Sequence, residues 1–218
     1  VWQTYLGSSS SDNPYALDIG PDGYLYIGIN TSGTFSKTYG TGFTAGGWTQ
    51  RSGSTGSQIA IAKVSPAGTG ALVREVGTAS NDLSLNVFDL RIQPNTSSVF
   101  NVIVTGYCDQ ATSTDGDVPR AITPAGTNIT TGSGTNGYIF SLTNDLSTIN
   151  WSKQYGAGIN NGTNQFNIAV TDNSGNVIVG GRTRSSSNIS YNNPSGQTTL
   201  GGNQDGWLMS LSGTNGTA

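Results

Sequence analysis

Histidine is absent from the 218 residues. That removes the commonest general base, the Ser-His-Asp arrangement and imidazole metal ligation together. The carboxylates are eleven Asp and the single Glu75, and no pair is spaced as the facing acid and base of a glycosidase. Asp115-Gly-Asp117 offers two hard oxygen ligands, the one place where calcium suggests itself. The EF-hand spacing is missing and no acidic ligand follows, so a solvated turn is expected there, and no cofactor. Asp12 and Asp82 stand at matching places after a strand, where side chains of this type bond their own backbone; Asn164 is their third counterpart. Cys108 is alone, which excludes an internal disulfide and a thiolate zinc site and leaves a small buried thiol. Glycine-rich residues 40–47 lack the Lys-Ser/Thr of a phosphate loop. The remaining chemistry is recognition. Tyr39, Phe43, Trp48, Tyr107 and Tyr191 are set among hydroxyls and amides, a mixture that stacks on sugar rings and bonds their hydroxyls, or packs as small satellite cores.

Something must position these groups. Only 10% of residues are charged, against about a quarter in ordinary domains, and Ser, Thr, Asn and 32 Gly take their place. Disorder would fit that composition, but runs such as Tyr24-Leu-Tyr-Ile-Gly-Ile29 and Val99-Phe-Asn-Val-Ile-Val104 recur, bounded by Gly, Pro and Asn, and read as strands. Net charge is −3, with nine basic residues scattered singly, so nucleic acid is not an expected partner. No apolar stretch is long enough to span a membrane. The sequence opens directly on a strand-like segment, as a mature product or part of something longer would.

The strands repeat. Gly7, Gly77 and Gly156 close a first anchor, spaced by 70 and 79 residues, opened by Trp2, Val73 and Trp151. Gly28, Gly106 and Gly180 close a second, spaced by 78 and 74; a third begins at Gln58, Gly137 and Gly206, with Trp207 in its last copy. Before each second anchor lies a further strand, at residues 15–19, 86–92 and 166–170, joined to it by turn residues such as Gly20-Pro-Asp-Gly23 and Asp172-Asn-Ser-Gly-Asn176. Four short antiparallel strands repeated in tandem make the blade of a β-propeller. The expected fold is therefore all-β, a single module over residues 1–218 made of three four-stranded blades, in units 1–71, 72–149 and 150–212 with a loose tail at 213–218.

Trp2 to Gly7, Asp12 and residues 15–28 in the first unit, with 168–180 and 205–211 in the third, resemble the bacterial SBBP-type β-propeller repeat. The middle unit departs from it, with Val73 for Trp and Asn136 for Asp. The resemblance implies an innermost strand of the Ile-Ala-Val kind, an outermost Trp-bearing strand, and membership of large surface or secreted proteins.

Three blades do not close a ring, since known propellers have about four or more. Further blades of the same polypeptide, or a second copy making a six-bladed ring, are expected to complete it. In that ring residues 2–6 would be the fourth strand of the last blade. Long insertions at 30–56, 107–135 and 182–204 fall in one slot of the repeat and should share one face, with the five aromatics above. The expected role is a non-catalytic structural or adhesive module, secreted, on a cell surface or on a virion exterior, meeting other surface proteins through those polar loops. A lectin-like module binding glycans is the alternative. A secreted propeller hydrolase working through Asp115 or Asp205 is the second.

Overall fold

The computed structural model describes residues 2–3, 5–8, 10–32, 44–45, 58–68, 70–76, 84–94, 99–110, 127–128, 134–155, 165–184 and 201–217. Among these the fold is all-β, without a helix. The first sheet contains β1 (Asp12–Ile19), β2 (Leu25–Thr31), β4 (Gln58–Val64) and β5 (Ala71–Val76), with two-residue β3 (Thr44–Ala45) running parallel to β5 at its edge. The middle sheet is β6 (Ser84–Pro94), β7 (Phe100–Gln110), β9 (Gly134–Thr143) and β10 (Ile149–Tyr155), edged likewise by β8 (Thr127–Asn128). The third sheet has three strands, β11 (Gln165–Thr171), β12 (Val177–Thr183) and β13 (Asp205–Leu211). The main strands within each sheet are antiparallel, and no sheet closes on itself among the described residues.

Four main strands are thus present in each of the first two sheets and three in the third, among the described residues. The reason is an offset between repeat and sheet. The strand that opens each sequence unit pairs with the preceding sheet: β5 lies beside β4, and β10 beside β9. The sheets therefore span 12–76, 84–155 and 165–211, one strand out of step with units cut at 71 and 149.

Alternation of side chains across the pleat gives every strand two faces. Here the middle sheet has both covered. Tyr26, Ile59, Ile61 and Val76 of the first sheet meet Val87, Leu90, Val102, Val104, Tyr138 and Phe140 of the middle one. Its other face sends Ile103, Ile139 and Trp151 against Phe166, Ala169, Val179 and Met209 of the third. Carboxylates stitch the first strands together across these seams. Asp18 accepts a hydrogen bond from the Ile92 N–H at 2.9 Å, and Asp89 accepts one from the Ala169 N–H at 2.9 Å. Without these, two backbone donors at the seams would lose their partners.

Registers correct two sequence alignments by one residue. β1, β6 and β11 each carry a bulge, after Pro14, Val87 and Phe166. Beyond it, Ala16 pairs with Gly28, Asp89 with Thr105 and Ile168 with Gly180, so Thr105, not Gly106, is the counterpart of Gly28 and Gly180. Gly106 corresponds instead to Gly181. A methyl group at either would overlap a carbonyl of the strand alongside, Asn86 or Gln165 respectively. Similarly Lys63 pairs with Leu72 and Ser141 with Trp151, which makes Leu72, not Val73, the counterpart of Trp151. Val73 points to the opposite face of its sheet.

Candidate functional site

Strand ends place the long segments. In each sheet the residues flanking them lie at one end, where Asp12 pairs with Thr31, Thr31 with Gln58, Asp109 with both Ser84 and Thr135, and Thr183 with Asp205. The Asn30 amide unites the ends of two sheets, accepting from the Val87 N–H at 2.7 Å and donating to Asn86 Oδ1 at 3.3 Å. Of the aromatics expected there, Tyr39, Phe43, Trp48 and Tyr191 lie outside the described residues, as do Asp115, Asp117, Gly77 and Gly156. Tyr107 is described. It is half-buried and packs on Phe88 with ring centroids 5.1 Å apart, and Phe88 meets Tyr15 edge-on at 6.4 Å. Tyr15 and Phe88 are the extra residues of the two bulges, so an irregularity of the backbone aims both rings into one row. Their recurrence at one place in the first strand of two units was a signal available in the sequence.

Titratable groups gather at the other end of the sheets. Lys63 lies 2.7 Å from Asp22, donates to the Asn144 carbonyl at 3.0 Å and sits 4.6 Å over the Tyr24 ring. The Tyr26 hydroxyl reaches both Asp22 and the Asn144 carbonyl. Partial burial would raise the Asp22 carboxyl. Hydrogen bonds from Lys63, the Tyr24 N–H and Tyr26, with the Lys63 charge, override that and hold it below its ordinary value. Tyr26 is driven upward by burial and by Asp22. Asp22, Lys63 and the Tyr26 hydroxyl each have a partner across or beside the first seam. Its chemistry is that of a lock between sheets.

Asp12 accepts from the Ser8 N–H and hydroxyl, closing residues 8–12. Asp172 accepts from the Ser174 and Asn176 N–H groups and from the Asn176 amide, bonds that hold its carboxyl low and fix the turn whose Gly175 has φ 81°. Both are turn carboxylates, as their spacing implied.

The Trp anchors carry the most informative geometry. Trp151 Nε1 donates to the Gly213 carbonyl at 2.9 Å, and Trp2 Nε1 donates to the Pro66 carbonyl at 2.8 Å. Gly213 and Pro66 each stand two residues beyond a third strand, β13 and β4. Each ring then lies on a positive-φ glycine of the same turn, Gly216 (φ 66°) for Trp151 and Gly68 (φ 69°) for Trp2. A Cβ at either glycine would run into the ring. The middle sheet has Leu146 (φ 57°) at the equivalent turn, buried in the core on which Leu72 packs. A tryptophan ring lies on a glycine at two of these turns, and a buried leucine takes the glycine's place at the third.

The third sheet has an open apolar face among the described residues. Ile168, Val170, Ile178 and Leu208 are exposed on the outer face of the third sheet, Leu208 by 75%. A groove of about 520 Å³ lies among Ile168, Gly180, Arg182, Trp207 and Leu208. Beside it the outer edge of β13 has no neighbouring strand among the described residues. Nothing in sequence alternation marked this face, because all three repeats carry apolar residues on both faces. No family model matches the chain, and no curated relative matches it.

Proposed function

We propose that the chain is a sector of a β-propeller of the SBBP repeat type. In this reading its sheets are blades, and it serves as a non-catalytic structural or adhesive module in an extracellular assembly on a cell surface or virion. The observation that supports this is where uncovered apolar surface falls. Ten large apolar side chains are exposed among the described residues, and only Val99 belongs to the middle sheet. Trp2, Tyr5, Tyr15, Leu17 and Ile19 are at the first sheet, and Ile168, Val170, Ile178 and Leu208 at the third. Surface of this kind, gathered mostly at the first and third sheets, fits contact with further protein. Hydroxyl-radical footprinting of the protein in its native assembly tests the reading. Leu17, Ile19, Ile168 and Leu208 are expected to label as weakly as buried Val104; labelling in proportion to their exposure here would sink it.

Glycan recognition is a second reading, favoured by the row Tyr15–Phe88–Tyr107 at the end that carries the polar loops. Tyr15, exposed by 54%, offers a ring to stack on a sugar. Binding on a glycan array that Tyr15→Ala abolishes would establish it, and an array with no signal would remove it.

A further inference from the structure

We infer that Asn215 is the acceptor of an N-linked glycan, presented on the turn that follows β13. This rests on the extracellular reading above, since the tripeptide Asn-x-Ser/Thr is modified on exported chains. Seven such tripeptides occur in the sequence. A chain so rich in Asn, Ser and Thr contains several by chance, so the motif alone selects none. Geometry does. The side chains of Asn30, Asn150 and Asn215 are described, and the other four acceptors lie outside the described side chains. Asn30 is 8% exposed, and its amide is spent across the first seam on Val87 and Asn86. Asn150 Nδ2 donates to Asn101 Oδ1 at 3.1 Å and to Ser141 Oγ at 3.3 Å, which uses both of its hydrogens. At both, the nitrogen that must act as nucleophile is already engaged within the fold.

Asn215 differs in each respect. It is exposed, and its Oδ1 accepts from the Thr217 N–H at 3.1 Å and from the Thr217 hydroxyl at 2.8 Å. A backbone N–H only donates, so these bonds settle which end of the amide is oxygen. Nδ2 is left without a hydrogen bond among the described residues. The third residue of the motif is thus the one that polarises the acceptor amide. The turn is fixed from within. The Ser212 N–H donates to the Thr217 carbonyl at 2.7 Å, the Gly216 N–H donates to the Ser212 carbonyl at 2.8 Å, and Trp151 bonds Gly213 and lies on Gly216. The middle sheet makes a similar turn with a different group. Asp145 stands one residue before positive-φ Leu146, as Asn215 stands before Gly216, and accepts from the Ser147 N–H at 2.9 Å and hydroxyl at 2.7 Å. Where Asp145 has its second carboxylate oxygen, Asn215 has an amide nitrogen. In the transfer, Nδ2 attacks the anomeric carbon of a lipid-linked oligosaccharyl diphosphate. The N–C bond forms as the C–O bond to the diphosphate breaks, the lipid diphosphate leaves with the electron pair, and one amide proton passes to a base of the transferase. The turn lies at the end of the third sheet where Val177 pairs with Leu211, opposite the end that carries the long segments. A glycan there projects away from the polar loops and leaves them open for contact.

Site-resolved mass spectrometry tests this on two samples. One is the protein taken from its native assembly; the other is the folded full chain given a purified oligosaccharyltransferase and a lipid-linked oligosaccharide. Asn215 is expected to carry glycan in both, and Asn30 and Asn150 to stay bare in both. Asn215→Gln and Thr217→Ala should each abolish modification at this site with unchanged far-ultraviolet circular dichroism, and Thr217→Ser should retain it. Asn215 bare in either sample, or Asn30 or Asn150 occupied to the same extent in the folded chain, would overturn the proposal. If Asn215 is bare while the footprints above show the apolar faces covered, the glycan site fails and the assembly reading stands. If Asn215 is occupied while those footprints follow exposure, the assembly reading fails and the glycan site stands.

Discussion

Trp151 and Trp2 make the same contact in different company. Each donates an indole hydrogen bond to a turn carbonyl and lies on a left-handed glycine. Trp151 is 6% exposed and belongs to the core between the middle and third sheets, with Ile103, Ile139 and Phe166 around it. Trp2 is 42% exposed. What separates them is a sheet on the near side of the ring. The comparison teaches that the local contact is encoded by a tryptophan and a turn, while the burial that gives it energetic weight comes from the strand beside it.

Substitution by alanine should separate the two most widely. Trp151→Ala removes a buried indole from a packed seam and strands the Gly213 carbonyl, so a loss of about 3–5 kcal/mol is expected. In dilute solution Trp2→Ala should cost less than about 1 kcal/mol, as changes on exposed surface do. Urea unfolding of both variants checks this. Equal losses would mean that residues 2–6 already carry structural weight in the single chain, and the contrast between seam and end would fall.

The sequence discloses much of this because strands and turns are local. Runs such as residues 99–104 and the turn Asp172-Asn-Ser-Gly-Asn176 lie where pattern and turn chemistry put them, as β7 and the β11–β12 connection. The offset of the Trp strand by one sheet was also implied by the repeat resemblance. Facing was less legible. A slip of one residue turns a strand over; each first strand conceals a bulge, and β10 has another between Ile149 and Trp151. That is why Gly106 and Val73 aligned by residue type with positions on the opposite face. Loop aromatics were the readiest functional guess, yet the open apolar surface is built from β11, β12 and β13, whose residues look like any other core strand until no sheet covers them.

A second contrast is between the two carboxylate stitches and the outer face of the third sheet. Asp89 is buried; it also accepts from the Leu90 N–H and lies 3.2 Å from Arg91 Nε. Asp89→Ala leaves the Ala169 and Leu90 donors without partners inside a seam, at an expected cost of about 1–3 kcal/mol. Asp18 is more exposed, so Asp18→Ala should cost about half as much. On the third sheet the corresponding places are Ile168, level with Asp89, and Val170, level with Asp18. Val170→Asp should therefore be nearly neutral in the dilute chain, and denaturation midpoints for the three variants rank the sites. If Val170→Asp destabilises as Asp89→Ala does, that face is covered and the ends are not ends.

The smallest expected effect is a pH dependence at the first seam. Asp22 has a folded-state pKa below its ordinary value, despite the burial that opposes it, because Lys63, Tyr24 and Tyr26 hydrogen-bond its carboxylate. A depressed carboxyl binds fewer protons in the folded chain, so it stabilises fully above its unfolded value near 3.8 and loses that contribution as pH falls through the lower folded value. The group is near the surface, and solvent screening keeps the contribution to less than about 1 kcal/mol. Asp22→Asn should lower the urea midpoint at pH 7 and converge on wild type as the solution is acidified below the ordinary carboxylate range. On the exposed face of the third sheet Ile168, Val170, Ile178 and Leu208 carry no charge, and Arg182 is the charged residue beside them among the described residues.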